Sequence, residues 1–242
     1  MIDAPRAWEG VLHHIEARLL SGELGPGDHL PPERALAAEL GVGRSSVREA
    51  VRVLDVLGLV RTQTGSGPQA GAIIIATPSG GMSALMRLQV AAQGFPVADV
   101  VKTRLLLETA VAAGLTETDA DLDGATTLLD AMDSDDLTPA EFLALDARFH
   151  VALAEASGNQ VVTAMMAGLR NSIESYVLEG VPAIADWPAE TRQLRTEHRG
   201  IVAAIVSGDA AVATARIHSH ITGYYSLTRL TEQAGSTEQD HR

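Results

Sequence analysis

The sequence predicts a mainly α-helical protein of two domains, a small N-terminal one that includes a β-hairpin and a larger one made only of helices. Three observations support this fold class. The chain has 242 residues, enough for two domains of ordinary size. Hydrophobic residues make up 46% of it and aromatic residues only 3%, so small aliphatic side chains, which suit helices, must build the core. Strand-like segments occur only before residue 77, and helical periodicity follows.

Composition excludes several classes of protein. Cysteine is absent, which excludes a disulfide scaffold, a Cys-ligated metal site and a cysteine nucleophile. No uninterrupted apolar run is long enough to span a bilayer, and the N-terminus has no secretory pattern, so we expect a cytoplasmic protein without a membrane partner. The net charge of -13 argues against non-specific coating of nucleic acid.

The charge is distributed unevenly along the chain. Residues 1–77 hold seven arginines and nine acidic residues, a net charge of -2, which leaves -11 for the remainder. Within residues 42–61 the balance becomes positive, with four arginines against two acids. A local basic surface of this kind can bind DNA despite the acidic total.

The positive region coincides with a predicted helix-turn-helix. Residues 35–40 form a short helix, residues 41–43 a glycine-containing turn, and residues 44–57 a second helix. On the second helix, apolar residues fall on one stripe, while Arg44, Arg48 and Arg52 recur every four residues on another. Such arginines suit the major groove of DNA. The alternative is the solvated face of an ordinary surface helix.

Two short strands follow the second helix. Residues 58–64 and 72–75 flank a glycine-rich turn, which predicts a β-hairpin and, with the helices before it, a winged helix. Thr64 and Gly65 would lie at the tip of the wing, beside the DNA backbone. A phosphate-binding nucleotide loop is a weaker interpretation, because no lysine and no helix follow the glycines.

Residues 22–34, 41–50 and 54–60 together resemble the winged-helix domain of the GntR family of bacterial transcription regulators. The resemblance implies operator contacts by six residues, which are Arg34, Arg44, Ser45, Arg48, Thr64 and Gly65. The sequence departs from the family at Gly43, where a serine or threonine usually caps the helix; glycine there costs a few tenths of a kcal/mol.

Everything after residue 77 is predicted to be helical. The break at residues 77–81 separates a DNA-binding domain (1–77) from a linker helix (78–94), a helical domain for effector binding, metal binding and dimerisation (95–230) and a flexible tail (231–242). The predicted helices are residues 82–92, 97–115, 120–132, 139–156, 160–178, 188–207 and 209–230.

Four residues of the helical domain form a candidate metal site. Asp146 and His150 are four residues apart on one helix and share a face, while His198 and His220 come from later helices. Three imidazoles and a carboxylate would suit a divalent ion such as Zn, Ni, Co or Mn. The alternative is a set of ordinary core or surface histidines, since spacing alone is only suggestive.

Residues 96–230 resemble the FCD effector domain of the FadR-type branch of the same family. The resemblance rests on Arg104 with Glu108, on residues 146–159, on Glu197-His198, and on His220 in the last helix. It implies that Asp146, His150, His198 and His220 bind a divalent metal, with zinc as the first expectation. His218 is two residues from His220 and should face elsewhere.

Arg104 is the candidate anchor for a small carboxylate effector. A six-coordinate ion with four protein ligands has open positions for such an acid, and arginine binds carboxylates well. The alternative is that Arg104 only pairs with Glu108 one helical turn away.

Together these features predict a ligand-responsive transcription regulator, not an enzyme, that binds a palindromic double-stranded DNA operator as a homodimer. Two alternatives remain open. In one, the metal is structural and a fatty acyl chain is sensed. In the other, the metal activates water for catalysis with Glu197 as base, although adjacent helical residues point about 100° apart.

Overall fold

The contacts of the computed structural model divide the chain into two units, residues 1–82 and 83–242. The structure describes residues 6–63, 71–75, 79–92 and 94–228. Within these residues it is mainly helical with one antiparallel hairpin, which confirms the predicted fold class. The predicted tail, residues 231–242, lies outside the described part.

The N-terminal unit combines three helices with the hairpin. Its elements are α1 (Ala7–Leu20), α2 (Glu33–Leu40), α3 (Arg44–Val56), β1 (Val60–Gln63) and β2 (Gly71–Ile74). Val60 of β1 is the partner of Ile74 of β2. His29 forms an isolated bridge with Ile73, so the segment before α2 pairs with the outer edge of β2. Asp55 near the end of α3 accepts hydrogen bonds from the backbone N and Oγ1 of Thr62 on β1, at 3.2 and 3.3 Å.

Helix α1 is an addition to the sequence prediction. Val11 and Ile15 are buried four residues apart, and Trp8, Leu12 and Leu19 pack on the same core. This is the spacing of an amphipathic helix. The helix therefore supplies one side of the hydrophobic core on which α2 and α3 are held.

The remaining helices form the C-terminal unit, except that α4 contains the boundary between the units. They are α4 (Ser79–Ala91), α5 (Val97–Leu115), α6 (Asp123–Met132), α7 (Pro139–Ala156), α8 (Gln160–Gly180), α9 (Trp187–Val206) and α10 (Ala210–Thr228). The bounds of α5 and α7 equal the predicted ones. Helix α5 contacts α7, α8, α9 and α10, and so lies at the centre of the bundle.

Local signals explain where the functional helices begin and end. Thr138 and Glu141 form a reciprocal capping box at the start of α7, with Pro139 at its first position. Asp186 caps α9 through the backbone N of Ala189. Gly208, with a φ of 74°, provides the left-handed turn between α9 and α10. These boundaries fix which residues of α7, α9 and α10 face the interior.

Candidate metal centre and DNA-binding surface

The four predicted metal ligands come together inside the C-terminal bundle. Asp146 and His150 lie one turn apart on α7, His198 lies on α9 and His220 on α10. All four are buried, with exposed fractions of 7% or less. Three helices therefore bring four donor groups together, two from α7 and one each from α9 and α10.

The distances between the donor atoms suit a metal ion. Nε2 of His220 lies 3.1 Å from Nε2 of His150 and 3.2 Å from Nε2 of His198, and Oδ1 of Asp146 lies 3.0 Å from Nε2 of His198. Oδ1 of Asp146 is 3.7 Å from His150 and 3.9 Å from His220. With bonds of about 2.1 Å, neighbouring ligands are about 3.0 Å apart in an octahedron and about 3.4 Å apart in a tetrahedron. The group could therefore hold a divalent ion with small adjustments.

Two carboxylates outside the group of four contact the rings of His150 and His220. Nδ1 of His150 lies 2.5 Å from Oε2 of Glu108 on α5, and Nδ1 of His220 lies 2.9 Å from Oε2 of Glu197 on α9. The hydrogen bond at His220 and the close contact at His150 favour a proton on Nδ1 of each ring. With that tautomer in both rings, the two Nε2 atoms, 3.1 Å apart, are both acceptors and repel each other. A cation between them removes this repulsion, and the residues therefore fit a bound metal ion.

The histidines are held in the form that binds metals. Burial lowers the pKa of His198, and the neighbouring His220 lowers it further. Burial also lowers the pKa of His220, against the opposing effect of its hydrogen bond to Glu197. Both rings are therefore neutral at pH 7, as metal coordination requires. Nδ1 of His198 is buried without a hydrogen-bond partner, and so is Nδ1 of His150, although it lies 2.5 Å from Oε2 of Glu108; of the three rings, His220 is the one whose Nδ1 is hydrogen-bonded, to Glu197.

Arg170 on α8 fixes the fourth ligand. Its Nη2 donates to Oδ2 of Asp146 at 2.7 Å and to the backbone oxygen of Asp146 at 3.0 Å. Burial alone would raise the pKa of Asp146, but Arg170 and the neighbouring rings of His150 and His198 hold it well below its usual value. The carboxylate is ionised, and only Oδ1 faces the histidines.

A second buried ion pair lies beside the first. Nε and Nη2 of Arg104 lie 2.8 and 2.7 Å from Oε1 of Glu108, and Nη1 donates to the hydroxyl of Tyr225 at 2.7 Å. Burial alone would raise the pKa of Glu108, but Arg104 and His150 hold it far below the usual range. Arg104 therefore pairs with Glu108. Glu108 in turn contacts His150 of the candidate metal site.

A small cavity connects Arg104 with the ligand group. It has a volume of about 20 Å³, and its lining includes Arg104, Asp146, Arg170, His220 and Tyr225. This is room for about one water molecule, which needs roughly 10–15 Å³. A larger molecule would have to displace side chains of the lining.

Sequence reasoning named the four residues that the structure brings together as candidate ligands, but not all the residues that contact them. Arg170 and Tyr225 were not predicted, and Glu197 was considered only as a catalytic base. The signal for Arg170 was a single charge at the end of the apolar segment 164–169. His218 is exposed, as its spacing from His220 predicted.

The predicted DNA-binding residues lie on the N-terminal unit. Gly41, with a φ of 66°, makes the left-handed turn after α2, and α3 begins at Arg44. Val47, Ala50 and Leu54 of α3 are buried, so its other face is left for solvent.

The charged residues of that surface are exposed. Arg34 is exposed on α2, as are Arg44, Ser45 and Arg48 on α3. Nε of Arg48 lies 3.2 Å from Oε2 of Glu33 at the start of α2. The predicted wing contacts, Thr64 and Gly65, lie outside the described residues. Among the described helices, none is long and apolar enough to cross a bilayer.

Comparisons with known proteins agree with both units. The family model "Bacterial regulatory proteins, gntR family" matches residues 8–68, and the model "FCD domain" matches residues 99–223. The HTH-type transcriptional regulator LutR of Bacillus subtilis is 32% identical over 84% of this chain and 92% of that protein. The putative L-lactate dehydrogenase operon regulatory protein of Escherichia coli is 28% identical over 92% of this chain and 86% of its own length.

A solved structure extends the likeness to three dimensions. The structure described as Streptococcus agalactiae GntR matches 92% of this chain and 99% of its own, with a TM-score of 0.66 and 26% identity. The matching families and relatives are transcription regulators, which the sequence had predicted in preference to an enzyme. This chain belongs to the GntR family of bacterial transcription regulators and carries an FCD domain.

Proposed function

We propose that this regulator binds a palindromic operator as a homodimer, and that a divalent metal in the FCD domain makes it responsive to a small carboxylic acid. The DNA-binding domain is residues 1–77 and the effector and dimerisation domain residues 95–230. The observation that carries the proposal is the buried group of Asp146, His150, His198 and His220, whose donor atoms all lie within 4.8 Å of one another.

The donor set favours zinc, with nickel, cobalt and manganese as the other candidates. Three imidazole nitrogens and one carboxylate oxygen are borderline ligands of the kind that zinc takes in proteins. Asp146 offers one oxygen, because Arg170 holds the other. Four protein donors leave coordination positions for a small ligand, and a bound ion would supply a Lewis-acidic contact for one oxygen of the effector.

The charges around the site favour an anion. Arg104 and Arg170 balance Glu108 and Asp146, and all four are buried. A divalent cation adds two positive charges, which Glu197, with 31% of its side chain exposed, offsets only in part. A buried excess of positive charge is costly, so an acid that enters as a carboxylate is stabilised there.

Arg104 can bind that carboxylate without leaving Glu108. Its contacts with Glu108 and Tyr225 use three of the five N–H groups that a guanidinium carries. The cavity reaches Arg104, Asp146 and His220 alike, so one small acid can contact the arginine and the metal together. The lining would have to move less for an acid of a few atoms than for a fatty acyl chain, because the cavity has a volume of about 20 Å³. The relative named for an L-lactate dehydrogenase operon also suggests a small hydroxy acid.

The exposed arginines of α2 and α3 would bind the operator, and two copies would read its two halves. Selection of bound fragments from the source genome, with excess competitor DNA, tests this part. One palindromic site should be recovered with the wild type and lost with the double variant Arg44→Ala, Arg48→Ala. Equal recovery by the double variant, or a site without two-fold symmetry, would contradict it.

Calorimetry tests the metal and effector part. Protein stripped with a chelator is titrated with zinc, and the loaded protein is then titrated with acetate and L-lactate. We expect one zinc ion per chain, at least about tenfold weaker binding in His198→Ala, and unchanged binding in the matched control His218→Ala. Carboxylate binding should require the metal. Zinc binding that is equal in both variants, or carboxylate binding that survives in His198→Ala, would contradict the proposal.

A further inference from the structure

We propose that Glu108 is the positioning residue of the metal centre: it holds His150 in the tautomer that can bind a metal, and it does so because Arg104 occupies its other oxygen. The inference rests on the metal site proposed above and assigns a role to a residue outside the ligand set. Glu108 is 4% exposed and lies on α5, the central helix of the bundle, one turn after Arg104.

The two oxygens of Glu108 have separate partners. Oε2 lies 2.5 Å from Nδ1 of His150, and Oε1 lies 2.8 Å from Nε of Arg104. Both partners are donors at these atoms, because a guanidinium has no acceptor and a metal-binding His150 keeps its proton on Nδ1. A carboxylate, with two acceptor oxygens and no proton, satisfies both at once.

An amide at the same position cannot satisfy both. It has one acceptor oxygen and one donor NH₂ group. If the oxygen faces Arg104, the NH₂ faces Nδ1 of His150, and the ring must then carry its proton on Nε2, the atom that faces the metal. If the oxygen faces His150, the NH₂ opposes the guanidinium in a buried site, and both donor groups are left without that acceptor. Either arrangement weakens metal binding or the fold around it.

Glu197 provides the matched comparison. It accepts from Nδ1 of His220 at 2.9 Å and so occupies the place that Glu108 has beside Nδ1 of His150, but its side chain is 31% exposed and its other neighbour is the amide of Gln193. An amide at this position can keep its oxygen on His220 and turn its NH₂ toward water. The tautomer of His220 therefore survives Glu197→Gln, whereas Glu108→Gln loses either the tautomer of His150 or the acceptor for Arg104.

Metal affinity separates the two variants. Full-length protein is stripped with a chelator and titrated with cobalt(II), whose visible spectrum reports the ligands, and the zinc affinity is measured by competition with a coloured chelator. We expect Glu108→Gln to lower the affinity by about 10–100-fold and to change the cobalt spectrum. Glu197→Gln should lower it by less than about fivefold and keep the spectrum. Equal effects of the two variants, or wild-type affinity in Glu108→Gln, would overturn the inference.

A measurement on the wild type keeps the inference testable if Glu108→Gln does not fold. Long-range ¹H–¹⁵N correlation spectra of the metal-free protein assign the tautomer of each histidine ring. We expect the proton of His150 on Nδ1, and a proton on its Nε2 would overturn the inference. A wild type that binds no metal in the cobalt titration would instead overturn the proposed function. A wild type that binds metal while Glu108→Gln binds equally well would overturn only the role of Glu108.

Discussion

Replacing Arg170 by methionine should destabilise the metal-free C-terminal unit by about 3–5 kcal/mol, because the change leaves a buried carboxylate without its cation. Only 6% of the Arg170 side chain and 11% of the Asp146 side chain are exposed, and their contact is 2.7 Å. Water therefore cannot replace the guanidinium, and methionine fills most of the space without forming the bond. An exposed ion pair would contribute only about 0–1 kcal/mol.

The loss of stability caused by Arg170→Met should depend on pH. Burial raises the pKa of a carboxyl that has no cation beside it, so Asp146 of the variant takes up a proton as the pH falls. The wild-type carboxyl, whose pKa is held well below its usual value, stays ionised. The difference in the free energy of unfolding is therefore larger at pH 8 than at pH 5.

Urea unfolding followed by tryptophan fluorescence measures this difference. The chain has two tryptophans, one in each unit, so a Trp8→Phe background leaves Trp187 as the single reporter of the bundle. Trp187 packs edge-on against the buried Phe142. Arg148→Met on the exposed face of α7 is the control and should change stability by no more than about 0.5 kcal/mol. A loss below about 1 kcal/mol for Arg170→Met, or a loss equal to the control's, would refute the reasoning.

Three further predictions address the DNA surface, the buried acids and the arginine contact. Arg34→Ala should weaken binding to operator DNA and to random DNA alike, and should reduce the slope of log affinity against log salt concentration by about 1. Both are measured by fluorescence anisotropy, and a loss of affinity confined to the operator would contradict a phosphate contact. The folded-state pKa values of Glu108 and Asp146 lie below their unfolded values of about 4, so the stability that they contribute is present above pH 4 and is lost as the pH falls further. Urea midpoints of the metal-free protein should therefore decrease below pH 4, in addition to a decrease that begins near pH 6.5 because the pKa values of His198 and His220 are lowered in the folded state. A flat profile below pH 4 would contradict the prediction for the two acids. Tyr225→Phe removes the hydroxyl that accepts from Arg104 and should cost about 1 kcal/mol or more in the same unfolding assay, while a neutral effect would mean that another group replaces the acceptor.

The helices of the bundle could be predicted because their ends carry local signals. Pro139 follows a capping threonine at the start of α7, and glycines 158 and 208 follow the ends of α7 and α9. Such signals act within a few residues and do not depend on the rest of the fold. Helix α1 carried the same kind of pattern, from Trp8 to Leu19, but had no motif to draw attention to it.

The ligand set could be predicted only in part from spacing. Asp146 and His150 share a face because they are four residues apart on one helix. His198 and His220 were candidates by residue type alone, and the resemblance to a known domain supported them, since nothing in the local sequence determines which faces of three helices meet. The structure adds what that resemblance did not give, namely the side chains that contact Asp146, His150 and His220 from outside the group of four.

Those partners depend on how the helices pack, so they could not be predicted from the sequence. Arg170 reaches Asp146 from 24 residues away, and Tyr225 reaches Arg104 from 121 residues away. Glu197 was judged a poor base because it points away from His198, its neighbour in sequence. It does point away, and its carboxylate meets His220 on the next helix instead. A contact between residues on different helices is fixed only when the bundle is assembled.

The response of DNA binding to small acids, with and without metal, tests the central claim most directly. The affinity for a selected operator fragment is measured by fluorescence anisotropy while a series of small hydroxy and keto acids is added to zinc-loaded protein, to chelator-stripped protein and to His198→Ala. We predict that at least one acid changes the affinity of the zinc-loaded protein by about fivefold or more, and that it has no effect on the other two. The same change in stripped protein or in His198→Ala would contradict the claim that the metal centre is where the effector binds.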